Sequence, residues 1–305
     1  MFPPPAILET EIFATLPDEY RVPRRTTFSD VNRGGRPIHS FLEGPSFDRA
    51  GNLYVVDIPH GRVFRISPAG KFALIAEYDG EPNGLKIHRD GRIFITDYKN
   101  GIMQLDPASG AVTPVLDRRW TERFKGVNDL FFAANGDLYF TDQGQTGLQD
   151  PTGRVYRLTT SDRLELLLGN VPSPNGLVTN LDESALLVAV TRGNCIWRLP
   201  VLPDGSTTKV GLFIQLSGGP GGPDGLALDS EGNLAVAHVG LGSVWLFDRF
   251  GQPLYRIKSC AGMLTTNVAY GGPERKTLYI TESESGSILR ADLPTAGRPM
   301  FSHQP

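Results

Sequence analysis

The hydrophobic residues of this chain fall in short β-rich runs, each preceded by a glycine-bearing turn and closed by a polar residue. Such runs, bounded by Gly, Asn and Asp, predict strands joined by hairpins. LYVVD (53–57), IFITD (93–97), LYFTD (138–142) and LYITE (278–282) are four of them. The turns DRAGN, HRDGR, AANGD and DSEGN place glycine where a positive φ costs little. Helical periodicity is nearly absent, which excludes a solenoid of helices.

The runs belong to a larger repeat. Its six copies are EGPSFDRAGNLYVVD (43–57), PNGLKIHRDGRIFITD (82–97), VNDLFFAANGDLYFTD (127–142), PNGLVTNLDESALLVAV (174–190), PDGLALDSEGNLAVAH (223–238) and TTNVAYGGPERKTLYITE (265–282). Anchored on Glu43, Asn83, Asn128, Asn175, Asp224 and Asn267, they are spaced by 40, 45, 47, 49 and 43 residues. That length holds about four short strands with their turns, which is one propeller blade. The WD dipeptide does not occur in the copies, and a kelch-like double glycine does not recur from copy to copy. The pattern predicts an all-β fold, a six-bladed β-propeller in a single domain over residues 1–305, with its blades in 43–293. The last copy has room for only about three strands. The strand-like segment 8–16 is therefore predicted to close the last blade and remove a free sheet edge.

The innermost strands of a propeller run in one direction along a central channel, so the anchors that open them converge on one mouth. The second strands return to that mouth and end at Asp57, Asp97, Asp142, Val190, His238 and Glu282, a second and wider ring. Segments 17–42, 116–126, 143–154 and 216–222 belong to the same face, where long loops act as lids, and 17–42 is read as a linker over the mouth. The anchors are oxygen donors of the kind a hard cation takes. Two carboxylates with two or more amides offset a dication's charge without excess repulsion. One divalent metal ion is expected, Ca²⁺ first, with Mg²⁺, Mn²⁺ and Zn²⁺ as alternatives, on Glu43, Asn128, Asn175 and Asp224. Asn83, Asn128 and Asn267 are expected to face the substrate. No Cys/His cluster competes as a structural zinc site. Taken singly, each Asn-Gly or Asp-Gly pair also reads as a turn dipeptide.

In their order and spacing, EGPSFD, VND, PNGL and PDGLALD, with TTNVAYGGPERKTLYIT in the last copy, resemble the SMP-30/gluconolactonase/luciferin-regenerating-enzyme (LRE)-like family. That group also includes diisopropylfluorophosphatase-like propellers. The resemblance runs from Glu43 to Leu293. It implies a lactone hydrolase in which Glu43, Asn175 and Asp224 ligate the metal directly. It makes Asn128 a ligand or a substrate contact, and Asp224 the usual candidate for acid/base work. In one place the chain departs from the pattern. Sugar lactonases of the family commonly carry Arg two residues before the Asn of VND, where this chain has Gly126, preceded by Lys125. The expected substrate shifts accordingly from an aldonolactone to a less hydroxylated lactone or ester.

The reaction expected is attack of water on a metal-polarised carbonyl, with the oxyanion stabilised by the dication. Asp224, His238 and Asp142 are the candidate bases, and His238 stands where the repeat otherwise has an acid. No GxSxG nucleophile elbow and no phosphate-binding loop is present. Phosphotriester hydrolysis at the same site and a non-catalytic ligand-binding propeller are the alternatives. A strictosidine-synthase-like propeller is disfavoured by the complete Glu/Asn/Asn/Asp set.

Composition changes this picture little. A hydrophobic share of 40% with 21% charged residues suits an ordinary globular chain. A net charge of −3 without a basic run excludes nucleic acid as a partner. The expected partner is a small-molecule lactone or ester, and a homo-oligomer stays compatible. No apolar run approaches the ~20 residues that span a bilayer. The start, MFPPPAILETEIFATL, is Pro-broken and acidic rather than a signal peptide, so no membrane partner and a cytoplasmic setting are expected. Cys195 and Cys260, with no CxxC spacing, are expected to be buried thiols.

Overall fold

The computed structural model describes residues 4–304; residues 1–3, which begin the Pro-broken start, and residue 305 lie outside that range. Six antiparallel sheets of consecutive strands surround a channel, as the repeat predicts. Blade 1 runs outward through Leu42–Phe47, Leu53–Asp57, Arg62–Ile66 and Phe72–Glu77. The innermost strands of blades 2 to 6 are Pro82–Ile87, Val127–Phe132, Pro174–Thr179, Gly222–Leu228 and Thr265–Gly271. Every residue of Leu42–Phe47 is buried, whereas Phe72–Glu77 is mostly exposed or half-buried. The core lies between neighbouring blades: Val56 and Val63 of blade 1 pack with Leu85 and Ile95 of blade 2. No helix among the described residues is long and apolar enough to cross a membrane.

Glu11–Thr15 pairs antiparallel with Ser287–Asp292, so an N-terminal strand closes the last blade. The residues before it go elsewhere. Ala6–Glu9 lies parallel to Pro253–Lys258 as a fifth strand of blade 5, so the segment read as one strand (8–16) is divided between two blades. Thr10 is the joint. Its N–H and hydroxyl both donate to the Lys258 carbonyl at 3.0 Å, and its hydroxyl accepts from the Cys260 N–H at 2.9 Å. Cys195 is buried as expected, but Cys260 is exposed, because it follows the outer strand in a turn rather than sitting within a sheet.

Each inner strand slips register at its anchor. The irregularities fall between Glu43 and Ser46, Pro82 and Gly84, Val127 and Leu130, Pro174 and Leu177, Pro223 and Leu226, and Thr265 and Asn267. A bulge of this kind re-aims a side chain out of the pleat. The Asn-Gly and Asp-Gly pairs at the anchors, Asn83-Gly84, Asn175-Gly176 and Asp224-Gly225, thus lie inside strands, not in hairpin turns. Their glycines serve close approach of neighbouring inner strands. A Cβ on Gly176 would lie 2.3 Å from the Asp224 carbonyl oxygen, and one on Gly225 would lie 2.6 Å from Asn267 Cα.

Two sets of hydrogen bonds hold the anchors in place. The acids ending the second strands tie down the entry to the first: Asp57 accepts from Phe41 N–H (2.8 Å), Asp142 from Gly126 N–H (2.8 Å) and Glu282 from Leu264 N–H (3.1 Å). Threonines then link blades. Thr141 accepts from Asp129 N–H in its own blade and donates to the Asn175 carbonyl of the next at 2.9 Å. Thr96 makes the equivalent bonds to Gly84 N–H and the Asn128 carbonyl. At the far end of the channel the segment 297–304 lies across the inner strands. There Phe301 stacks on Phe132 at 5.2 Å, and Arg298 pairs with Glu183 at 2.6 Å. One mouth is covered by chain and the other is open.

If inner-strand contact fixes these glycines, Gly225→Ala forces backbone apart and destabilises by about 1–3 kcal/mol or more. Gly211→Ala, on an outer strand with nothing within 4 Å of the added Cβ, is close to neutral. Thermal melts of the two variants check this, and equal melting temperatures contradict it.

Candidate metal and active site

A cavity of about 690 Å³ opens at the mouth on which the anchors converge. Glu43, Asn83, Asn128, Asn175 and Asp224 line it, each delivered by a bulged inner strand of a different blade. Three of the four expected lid segments, 17–42, 143–154 and 216–222, line it, whereas no residue of 116–126 does. Helix Thr27–Asn32, started by a Thr26/Ser29 capping box, brings in Phe28 and Asn32, and the loop after Leu138–Asp142 brings in Gln143, Gln145 and Leu148.

Asn267, the sixth anchor, was expected to face the substrate but is not among the residues that line the cavity. It lies beneath the floor, where its Nδ2 donates to Glu43 Oε2 at 2.8 Å and to Asp129 Oδ2 at 3.3 Å. Asp129 was not singled out by the sequence. Its signal was present: it occupies the position after the anchor where Gly44, Gly84, Gly176 and Gly225 stand in four of the other five copies. Its carboxylate accepts from Leu130 N–H at 2.8 Å and faces Lys86 Nζ at 3.9 Å.

These buried acids repel one another. Burial first, then the nearby Asp129 charge, pushes the Glu43 carboxyl up to about 8, despite opposing help from Gly44 N–H, Asn267 and Lys86. Burial, then Glu43 and Asp129, pushes Asp224 well above the carboxylate range, against a hydrogen bond from Asn175 and the charge of Arg192. Neither Glu43 nor Asp224 forms an ion pair among the described residues. Asn128 adds a further unmet demand. Its Nδ2 donates to Gln143 Oε1 at 3.0 Å, and Gln143 Nε2 in turn donates to Ser173 Oγ at 2.9 Å. Gln143, also absent from the sequence reading, thereby sets the amide so that Asn128 Oδ1 is left buried without a partner. Two carboxylates without ion-pair partners among the described residues and an orphaned amide oxygen in one cavity fit a hard, oxygen-seeking dication. No three His, Cys, Asp or Glu side chains converge as ligands among the described residues, so a donor set here is a mixed carboxylate and amide one.

The other two candidate bases lie outside the cavity. Asp142 is buried in an ion pair with Arg154, whose Nε donates at 2.7 Å, while its other oxygen tethers Gly126. His238 is fully buried in blade 5. Burial lowers its pKa and Trp245 Nε1 donates to its Nδ1 at 3.2 Å, so it is held as a neutral wall residue. Neither side chain lines the cavity: Asp142 faces Arg154 and the Gly126 entry, and the His238 ring meets Trp245 and the rim segment at Gly219.

Gly126 has a steric cause. Its φ is 149°, and a Cβ there would lie 2.5 Å from the Tyr98 ring. Tyr98 fills the space a longer side chain would need, and its hydroxyl accepts from Gln145 Nε2 at 2.7 Å. Lys125 is turned to Thr152.

Comparison with known proteins gives a consistent result. Residues 41–284 match the SMP-30/Gluconolactonase/LRE-like region. Lactonase drp35 of Staphylococcus aureus (strain MRSA252) is 32% identical over 227 residues, 71% of this chain and 69% of that protein. Among solved structures, the calcium-binding protein regucalcin of Agrobacterium tumefaciens superposes with a TM-score of 0.78 at 21% identity, over 98% of this chain and 99% of that one. A gluconolactonase of Xanthomonas campestris reaches 0.74 at 21% identity, over 96% and 99%. At that identity the likeness is one of fold.

Because the folded state favours the protonated Glu43, the stability this group contributes to the metal-free protein is full below its ordinary value of 4.5. It is lost as pH rises through about 8. Chelator-treated protein should melt at a lower temperature near pH 9 than near pH 6, and Glu43→Gln should flatten that slope. A slope unchanged by the substitution would contradict the assignment.

Proposed function

This chain belongs to the SMP-30/gluconolactonase/LRE-like family, and from that premise we propose that it hydrolyses a lactone or related ester with one divalent metal ion, Ca²⁺ first. The observation that carries this reading is the cavity floor, where Glu43, Asp224 and the unpartnered Asn128 Oδ1 meet. Glu43, Asn128, Asn175 and Asp224 hold the ion. When bound, it polarises the substrate carbonyl and stabilises the oxyanion.

The chain's own groups do the rest. Gln143 fixes the Asn128 amide, and Asn267 holds Glu43 from below. Of the three candidate bases only Asp224 lines the cavity, so the proton of the attacking water passes to its carboxylate. Asn83 faces the substrate from blade 2, and Phe41, Ile58 and Leu148 present apolar surface to its carbon skeleton. That wall, with Tyr98 in place of a polar arm at Gly126, suits a lactone poor in hydroxyls.

Chelation followed by dialysis should abolish hydrolysis across a panel of neutral lactones, and metal should restore it. Full activity without metal would remove the proposal. A phosphotriester assayed in parallel distinguishes the rival chemistry, and binding without turnover of either class would indicate a ligand-binding propeller. Asp224→Asn should lower kcat by about 100-fold or more while leaving the melting temperature of the metal-free protein unchanged or higher. A parallel loss of fold and activity would make the residue structural.

A further inference from the structure

The cavity is lined by two carboxylates and also by two guanidiniums, Arg33 and Arg192, with no lysine or histidine. Arg33 caps helix Thr27–Asn32 on the lid side, and Arg192 sits in the turn after Ala185–Val190, across from it in the chain's order of blades. Neither guanidinium is engaged by an acid among the described residues. The lid helix's own acid, Asp30, is taken by Arg25, and Arg192 acts on Asp224 only as a nearby charge. A dication neutralises Glu43 and Asp224. The loaded cavity then carries an excess of two positive charges on its rim, in surroundings that are half apolar. Arginine in such a place is suited to a planar oxyanion that accepts its paired N–H donors.

Resting on the lactonase reading, we propose that the substrate is a lactone bearing a carboxylate away from the ring carbonyl, held by Arg33 and Arg192. The reaction itself supplies the second negative charge. Water oxygen bonds to the acyl carbon, the bond from that carbon to the ring oxygen breaks, and the ring oxygen takes a proton to become a hydroxyl. The ring opens to a second carboxylate and one proton is released. The hydroxy-dicarboxylate product thus matches the two excess charges. A phosphorylated lactone would bring one negative charge more than the rim can balance.

The experiment compares γ-butyrolactone with γ-carboxy-γ-butyrolactone on the metal-loaded full chain at neutral pH, in the native protein and in Arg33→Gln, Arg192→Gln and Arg36→Gln. Arg36 lies outside the cavity and serves as a control. The carboxylated lactone should have the higher kcat/KM by roughly tenfold or more, expressed in KM. That ratio should shrink in Arg33→Gln and Arg192→Gln, stay in Arg36→Gln, and fall with added salt. Hydrolysis of both lactones at equal efficiency, or a preference untouched by both rim substitutions, overturns this inference and leaves the lactonase reading standing. Absence of hydrolysis of either lactone overturns the lactonase reading and this inference with it.

Discussion

Two carboxyl groups, Glu43 and Asp224, are buried at the end of a channel, and among the described residues no cationic side chain is ion-paired to either. Burying an ionised group without compensation costs several kcal/mol even after relaxation. The protein meets this cost in the metal-free state by favouring the neutral acids, which is why both are pushed upward. Asp129 below them deepens the repulsion instead of relieving it. The gathered acids, with the unbonded Asn128 oxygen beside them, are what the proposed cation would relieve.

The remaining architecture keeps those groups from relaxing apart. Each bulge aims one side chain out of the pleat, and where a glycine follows the anchor, as at Gly176 and Gly225, the next inner strand comes close enough to block any retreat. Threonine hydroxyls fasten the backbone of one blade to the anchor carbonyl of the next, and the strand-end acids hold the entries. The acids of the second ring serve the fold: Asp57, Asp142 and Glu282 each accept a backbone N–H at a strand entry, and Asp142 also pairs with Arg154. Repulsion among the floor acids is held by the cooperative closure of six sheets, with Glu11–Thr15 completing the last one.

Much of this was legible in the sequence because a propeller writes itself as a repeat. The period near 45 residues, the turns and the polar anchors locate the blades, and a common strand direction brings the anchors to one mouth. The rest was illegible for specific reasons. A bulge has no residue signature, so Asn175-Gly176 and Asp224-Gly225 looked like turns while their glycines answer to contacts with the next blade. The direction of a strand-end side chain depends on local twist, so the sequence does not show that Asp142 and His238 sit beside Arg154 and Trp245 instead of lining the cavity. Whether an anchor reaches the cavity or stops beneath it depends on its neighbours, and Asn267 is held down by Glu43 and Asp129. Residues 8–16 show continuous strand character, yet Thr10 divides them, because its hydroxyl is bonded to blade 5. Asp129 was hidden by the expectation that only anchors matter.

The account stands on the claim that the floor of this cavity is a single cation site. Calorimetric titration of Ca²⁺ into chelator-stripped protein tests it most directly. One ion per chain should bind, with protons released at neutral pH as Glu43 and Asp224 ionise, and Glu43→Gln should abolish or severely weaken that binding. No binding of Ca²⁺ or of the alternative dications, or binding that survives Glu43→Gln and Asp224→Asn together, would contradict it.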